Sequence, residues 1–198
     1  MNCRPDLTCR DRVLDAAETV IQRDGIASFT LDAVAHEAGV SKGGLLHHYP
    51  SKERLIETLV ARSIECWRAD CDAALEREPE GPGRAARAMM NMCLSSPAHW
   101  SDQSRRSSAV LIAAIANNPV LVRPMRENHR QLLERLRNDD LPPGTSEAVA
   151  LAIHGMWFEW IFGLEDMNPI RLATLREALE RLLHAGAPHS RRSKEPVR

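Results

Sequence analysis

Apolar residues recur at intervals of three and four along most of this chain, and no stretch alternates apolar with polar as a half-buried strand does. The fold class read from that pattern is all-α. Val13, Ala16, Ala17, Val20 and Ile21 share one face of a first helix, with Thr8 placed to cap it and Gly25 to stop it. A second helix follows Thr30 and runs through Val34 and Ala35 to Gly39; a short third follows Ser41. The fourth starts at Ser51 and carries Ile56, Leu59, Val60, Ile64, Trp67, Cys71 and Ala74, until Glu78-Pro-Glu-Gly-Pro-Gly83 breaks it. Further helices are expected near 84–95, 102–116, 119–138, 145–165 and 170–185, giving nine, with 139–144 as a loop. Residues 187–198 have no apolar period and read as a disordered tail.

Composition narrows the function classes. No apolar run reaches the roughly 18 residues that a membrane span needs. Arg4, Asp6, Arg10 and Asp11 stand where a secretory leader would be apolar, so a cytoplasmic location is expected. Five cysteines without a C-x-x-C pair suggest reduced thiols rather than a disulfide framework or thiolate metal site. Lys and Arg total 26 against 27 Asp and Glu, so there is no bulk positive field. Nucleic-acid binding would have to rest on a few well-aimed donors. No nucleophile elbow, phosphate loop, H-E-x-x-H or supported carboxylate pair is present, and the chain does not read as an enzyme. No cofactor is implied.

The most informative segment is Thr30 to Lys52, TLDAVAHEAGVSKGGLLHHYPSK. Ala35 is small where two helices crossing steeply must approach, and Gly39 supplies the positive φ for a tight turn. Val40 and Leu45 then plug the angle. Ser41 can cap the next helix and leave its first-turn N–H groups facing outward, where a phosphate could sit. Gly43 and Gly44 each cost about 1 kcal/mol relative to alanine in a helix, which close backbone approach to DNA would offset. The alternative is that they merely form a loop. Adjacent His47 and His48 point about 100° apart on a helix and have no acidic or thiol partner four residues on, so no metal site is read there.

Val40 to Leu55 resembles the signature of the tetracycline-repressor (TetR) family, roughly V-S-K-G-T-L-Y-H-H-F-x-S-K-E-x-L. The likeness is close over the first 60 or so residues; beyond them it lies in helix number, length and order. It implies a DNA-binding head over residues 1–50, a ligand-binding and dimerisation region over 51–186, and a homodimer through the last two helices. Its partners would be double-stranded operator DNA and a small-molecule inducer. Thr30 would meet a backbone phosphate, Lys42, Gly43, Gly44, Leu46 and His47 bases or sugars, and His48, Tyr49 and Lys52 phosphates. Gly44 replaces a threonine and Leu46 a tyrosine, which thins base readout. Lys42 can still donate to guanine, and Leu46 can touch a thymine methyl.

An apolar sensor pocket could draw on Trp67, Met89, Met92, Cys93, Trp100, Ile112, Ile115, His154 and Trp157, although Met and Trp at helical spacing also make ordinary core. Arg105, Arg106, His129 and His154 could orient a polar ligand. For the dimer, Ala148, Ala152, Gly155, Glu159 and Phe162 form one stripe, and Leu172, Leu175, Leu179, Leu182 and Leu183 another. An intrachain core would produce the same pattern. A small-molecule carrier or a protein-interaction module without specific DNA binding remains the alternative.

Overall fold

The computed structural model describes residues 8–25, 29–95, 100–101, 104–105, 108, 112, 114–116 and 118–186. The expected tail at 187–198, Cys3, Arg106 and about half of the helix expected at 102–116 lie outside them; those described between 104 and 116 are helical. The named helices are α1 (Cys9–Asp24), α2 (Leu31–Ala38), α3 (Lys42–His48), α4 (Lys52–Arg77), α5 (Arg84–Leu94), α6 (Val122–Arg137), α7 (Thr145–Ile161) and α8 (Pro169–Gly186). A 3₁₀ turn, Pro119–Leu121, leads into α6, with the Asn118 side chain accepting from the Val120 N–H. No strand occurs among the described residues.

Caps set the head's boundaries. The Thr8 hydroxyl accepts from the Asp11 N–H at 3.2 Å while the Asp11 carboxylate accepts from the Thr8 N–H, so two orphan donors are satisfied reciprocally. The Thr8 side-chain hydrogen bond holds the Asp11 carboxyl below its ordinary pKa. Thr30 and Ser51 cap α2 and α4 in the same way, accepting from Ala33 and Arg54. Gly39, at φ +65, ends α2 in the left-handed conformation that the tight turn requires.

The chain builds two cores and one long helix that belongs to both. In the head, Val13, Val20, Phe29, Val34, Leu45 and Tyr49 close on Leu55 and Leu59 from the start of α4. Fully burying a side chain such as Leu45 contributes about 1.5–3 kcal/mol. The second core joins α5 to α8 through Met89, Met90, Leu136, Ile153, Trp160 and Leu179, with Trp67 of α4 packed against it. Between them a smaller cluster unites Val60, Ala114 and Leu121. Arg62 fastens α4 to α1 by ion pairs to Asp15 at 3.0 Å and Glu18 at 2.7 Å.

One boundary and one cap were not legible in the spacing. α7 stops at Ile161 rather than 165, because Gly163 turns the chain at φ +64. α5 has no side-chain cap of its own, since Gly83 precedes it. The cap comes from the α6–α7 loop. Buried Asp139 accepts from the Ala85 N–H at 2.7 Å and the Ala86 N–H at 3.0 Å, and the Ser146 hydroxyl donates to the same carboxylate at 2.9 Å.

Candidate nucleic-acid interface and sensor region

The α2–α3 angle is held by Leu45, which has no exposed surface, and by the Val40 N–H donating to the Ala35 carbonyl at 3.0 Å. Once Leu45 is fixed inward, the other face of α3 must point to solvent. Thr30, Ser41, Lys42, Gly43, His47 and His48 are exposed, and Gly44, Leu46 and Lys52 are partly buried. The Ser41 hydroxyl caps α3 by accepting from the Gly44 N–H at 3.0 Å. Lys42 pairs with Asp32 at 2.9 Å, but the two side chains are 56% and 69% exposed. Such a pair is worth at most about 1 kcal/mol, so a phosphate or guanine can displace it.

Tyr49 departs from expectation. Only 2% of it is exposed, and it packs in the head core rather than standing free for a phosphate. Its hydroxyl accepts from Arg10 Nε at 3.3 Å, and the guanidinium sits 5.7 Å from the ring centroid. Burial raises the phenol pKa against the lowering influence of Arg10. The signature itself held the clue, since its residue at this position is phenylalanine, which could make no polar contact. Lys52 is also drawn inward: Nζ donates to the Phe29 carbonyl at 2.6 Å and lies 5.4 Å from that ring's centroid. It braces the head from α4.

Gly43 and Gly44 lie within α3, not in a loop. A Cβ at Gly43 would meet nothing within 4 Å; at Gly44 it would come 3.3 Å from the Ser41 hydroxyl. The fold therefore leaves room for a side chain at Gly43, and the helix would gain from one.

The proposed sensor residues do not all converge. Met89 is buried in the second core, with Trp67, Cys93, Trp100, Ile112 and Trp157 partly buried against it. Trp100 meets Trp160 edge to face, with centroids 5.3 Å apart, and donates its indole N–H to the Cys93 carbonyl at 2.8 Å. Ile115 instead joins the cluster of Val60, Ala114 and Leu121, and Met92 is partly buried. His154 faces His129 at 5.7 Å; burial, helped by that second imidazole, lowers its pKa below the ordinary 6.5. Burial pushes the Cys71 and Cys93 thiols up to about 12, which disfavours thiolate chemistry. Two grooves outlined by described residues lie elsewhere and use none of the nine. Among the described residues, no group of three His, Cys, Asp or Glu could hold a metal, and no helix is long and apolar enough to cross a membrane.

A larger apolar surface emerges on the last two helices. Leu151, Phe158 and Phe162 stand exposed at spacings of seven and four, with Ala148 and Gly155 completing the stripe. The rings of Phe158 and Phe162 are 4.6 Å apart. On α8, Ile170, 81% exposed, and Leu182 also reach solvent. Leu172, Leu179 and Leu183 correct the expected dimer stripe because they are buried in the chain's own core, with Leu175 packed against it. The expected stripe of Ala148, Gly155 and Phe162 does lie on the exposed face, whereas spacing alone could not show that the α8 leucines turn into the chain's own core.

Comparison with known proteins accounts for both halves. Residues 13–59 match the sequence pattern described as "Bacterial regulatory proteins, tetR family". Residues 83–184, just over half of the chain, match "Tetracyclin repressor-like, C-terminal domain". The HTH-type transcriptional regulator UidR of Escherichia coli (strain K12) is 34% identical over 56 residues, 28% of this chain and 29% of UidR. The HTH-type transcriptional regulator SrpR of Pseudomonas putida is 30% identical over 105 residues, 52% of this chain and 45% of SrpR. The matched stretches span less than half the length of either relative. The multidrug binding protein EbrR, solved with malachite green, shares the fold with a TM-score of 0.64 at 24% identity, over 88% of this chain and 97% of EbrR.

Proposed function

The chain belongs to the TetR family of transcriptional regulators, and on that premise we propose that it is a ligand-responsive repressor that binds a pseudo-palindromic operator as a homodimer. The observation that carries this reading is the outward face of α3. Ser41, Lys42, Gly43, His47 and His48 are exposed on a helix whose inward residue, Leu45, is fully buried. Lys42 donates to a guanine edge or a phosphate, the glycines admit the DNA backbone, and His47 and His48 lie at the rim. Thr30 and Ser41 offer helix starts to phosphates.

The exposed stripe of Leu151, Phe158 and Phe162, with Ile170 and Leu182, supports self-association through α7 and α8. A dimer presents its two recognition helices about 34–36 Å apart, one DNA turn. The inducer site lies against the aromatic and thioether residues around Met89, including Trp67, Trp100 and Trp157; malachite green in EbrR is a precedent for a flat aromatic ligand. A ligand there bears on α4 through Trp67, and α4 is fastened to α1 by Arg62. A small displacement of α4 changes the separation of the heads. Tenfold release of operator requires only about 1.4 kcal/mol of coupling.

Selection of bound sequences from random duplex DNA tests the reading, with wild type and Lys42→Ala compared at two salt concentrations. A recovered palindrome whose enrichment the variant weakens by about 1–3 kcal/mol supports it. An absence of enrichment even at low salt would turn the assignment to a carrier or protein-interaction module.

A further inference from the structure

We propose that the groove between the first turns of α4 and α6 binds an amphipathic organic anion, with the anionic group on Arg123 and Arg126 and the apolar body on Val60, Val120, Leu121 and Pro124. The groove is open to solvent and offers about 790 Å³, a volume in the range of drug-sized ligand sites. It is separate from the residues around Met89.

Charge decides the ligand class. Four arginines and two glutamates line the groove. Arg54 pairs with Glu57 at 2.6 Å, and Arg130 with Glu127 at 2.7 Å and with Glu134 at 2.5 Å. Both groove carboxylates are thereby occupied. Arg123 and Arg126 make no hydrogen bond or ion pair among the described residues. On one helix, Arg123, Arg126 and Arg130 stand three and four residues apart, a like-charge spacing that costs stability, and Arg123 falls in the first turn, where the helix dipole disfavours a cation. Two unneutralised guanidinium forks beside an apolar floor suit a carboxylate or sulfonate carried on a hydrocarbon or aromatic body. A bare inorganic anion would leave Val120, 62% exposed, uncovered.

Position suggests a consequence. Arg54, Glu57 and Val60 form the groove wall on α4, one turn or less from Leu55 and Leu59, which fasten that helix into the head core. A molecule seated here presses on α4 beside its anchorage.

Calorimetric titration of the DNA-free protein with decanoate and with decanol tests the site, and its outcome does not depend on the operator reading. The expected result is saturable decanoate binding that Arg123→Ala/Arg126→Ala weakens at least tenfold, with Arg77→Ala at the far end of α4 leaving it unchanged. Decanol should bind at least tenfold more weakly than decanoate. Because neither arginine has a partner among the described residues, and their like-charge spacing is unfavourable, the double variant should melt no lower than the wild type, so its loss of binding reports the site. Equal affinity for alcohol and acid, undiminished binding by the double variant, or no saturable decanoate binding would each overturn the proposal.

Discussion

The head and the sensor region solve the same packing problem with different means. In the head, every helix start is capped by a residue directly beside it, and the core comes from four short stretches within 13–59. In the sensor region, α5 has no local cap and borrows Asp139 from more than 50 residues downstream, while core residues are drawn from α4 to α8. In the head, each helix start is decided by its neighbours in sequence. The sensor region is stabilised by contacts between segments distant in sequence, which makes it the slower of the two to form.

The most severe way to break this contrast is Leu45→Ala. Emptying a fully buried position at the centre of the head should cost about 2–5 kcal/mol and abolish DNA binding, while the fluorescence of the four tryptophans, all of which lie beyond the head, keeps its native transition. Asp139→Ala is the counterpart. Two α5 N–H groups and the Ser146 hydroxyl lose their acceptor, so thermal unfolding should show a loss of about 2–3 kcal/mol, with DNA binding retained at low temperature. If Leu45→Ala melts both regions together, the independence of the head fails.

Gly43→Ala sharpens the comparison at smaller scale. Nothing lies within 4 Å of a Cβ there, so the variant should be more stable by about 1 kcal/mol and yet bind operator more weakly. Greater stability with unchanged binding would show that the glycine is no approach site. The smallest effect is a pH dependence. The folded pKa of His154 lies below 6.5, so its contribution to stability is complete above that value and is lost as pH falls from 6.5 through the folded pKa. Melting temperature should therefore decline from pH 7.5 to 5.5, and less steeply in His154→Gln.

What could be read from the sequence follows the same division. Thr8, Thr30, Gly39, Ser41 and Ser51 announce their roles because each cap or turn is decided within four residues of chain. The recognition helix was legible for that reason. Tyr49 was misplaced because a tyrosine beside a helix end can face either way, and the buried hydroxyl is decided by Arg10, 39 residues earlier. Asp139 reads as a loop residue since its partners are in α5. The leucines of α8 show an apolar face, but spacing cannot say whether that face meets the same chain or another copy; the burial of Leu172, Leu179 and Leu183 in the second core shows that they meet the same chain.

The Asp139 carboxylate also has a meaning in time. During synthesis, residues 13–59 are complete before α5 has its cap, and at about 5–20 residues per second the chain must grow for roughly 3–10 s more before Asp139 follows Ala85 and Ala86. In the finished fold Asp139 is the acceptor for the first turn of α5, and Met89 and Met90 are buried by helices that follow it as well. The N-terminal core of the newborn protein is thus able to form first, and the other half waits for Asp139 and then for the core residues of α7 and α8 that follow it.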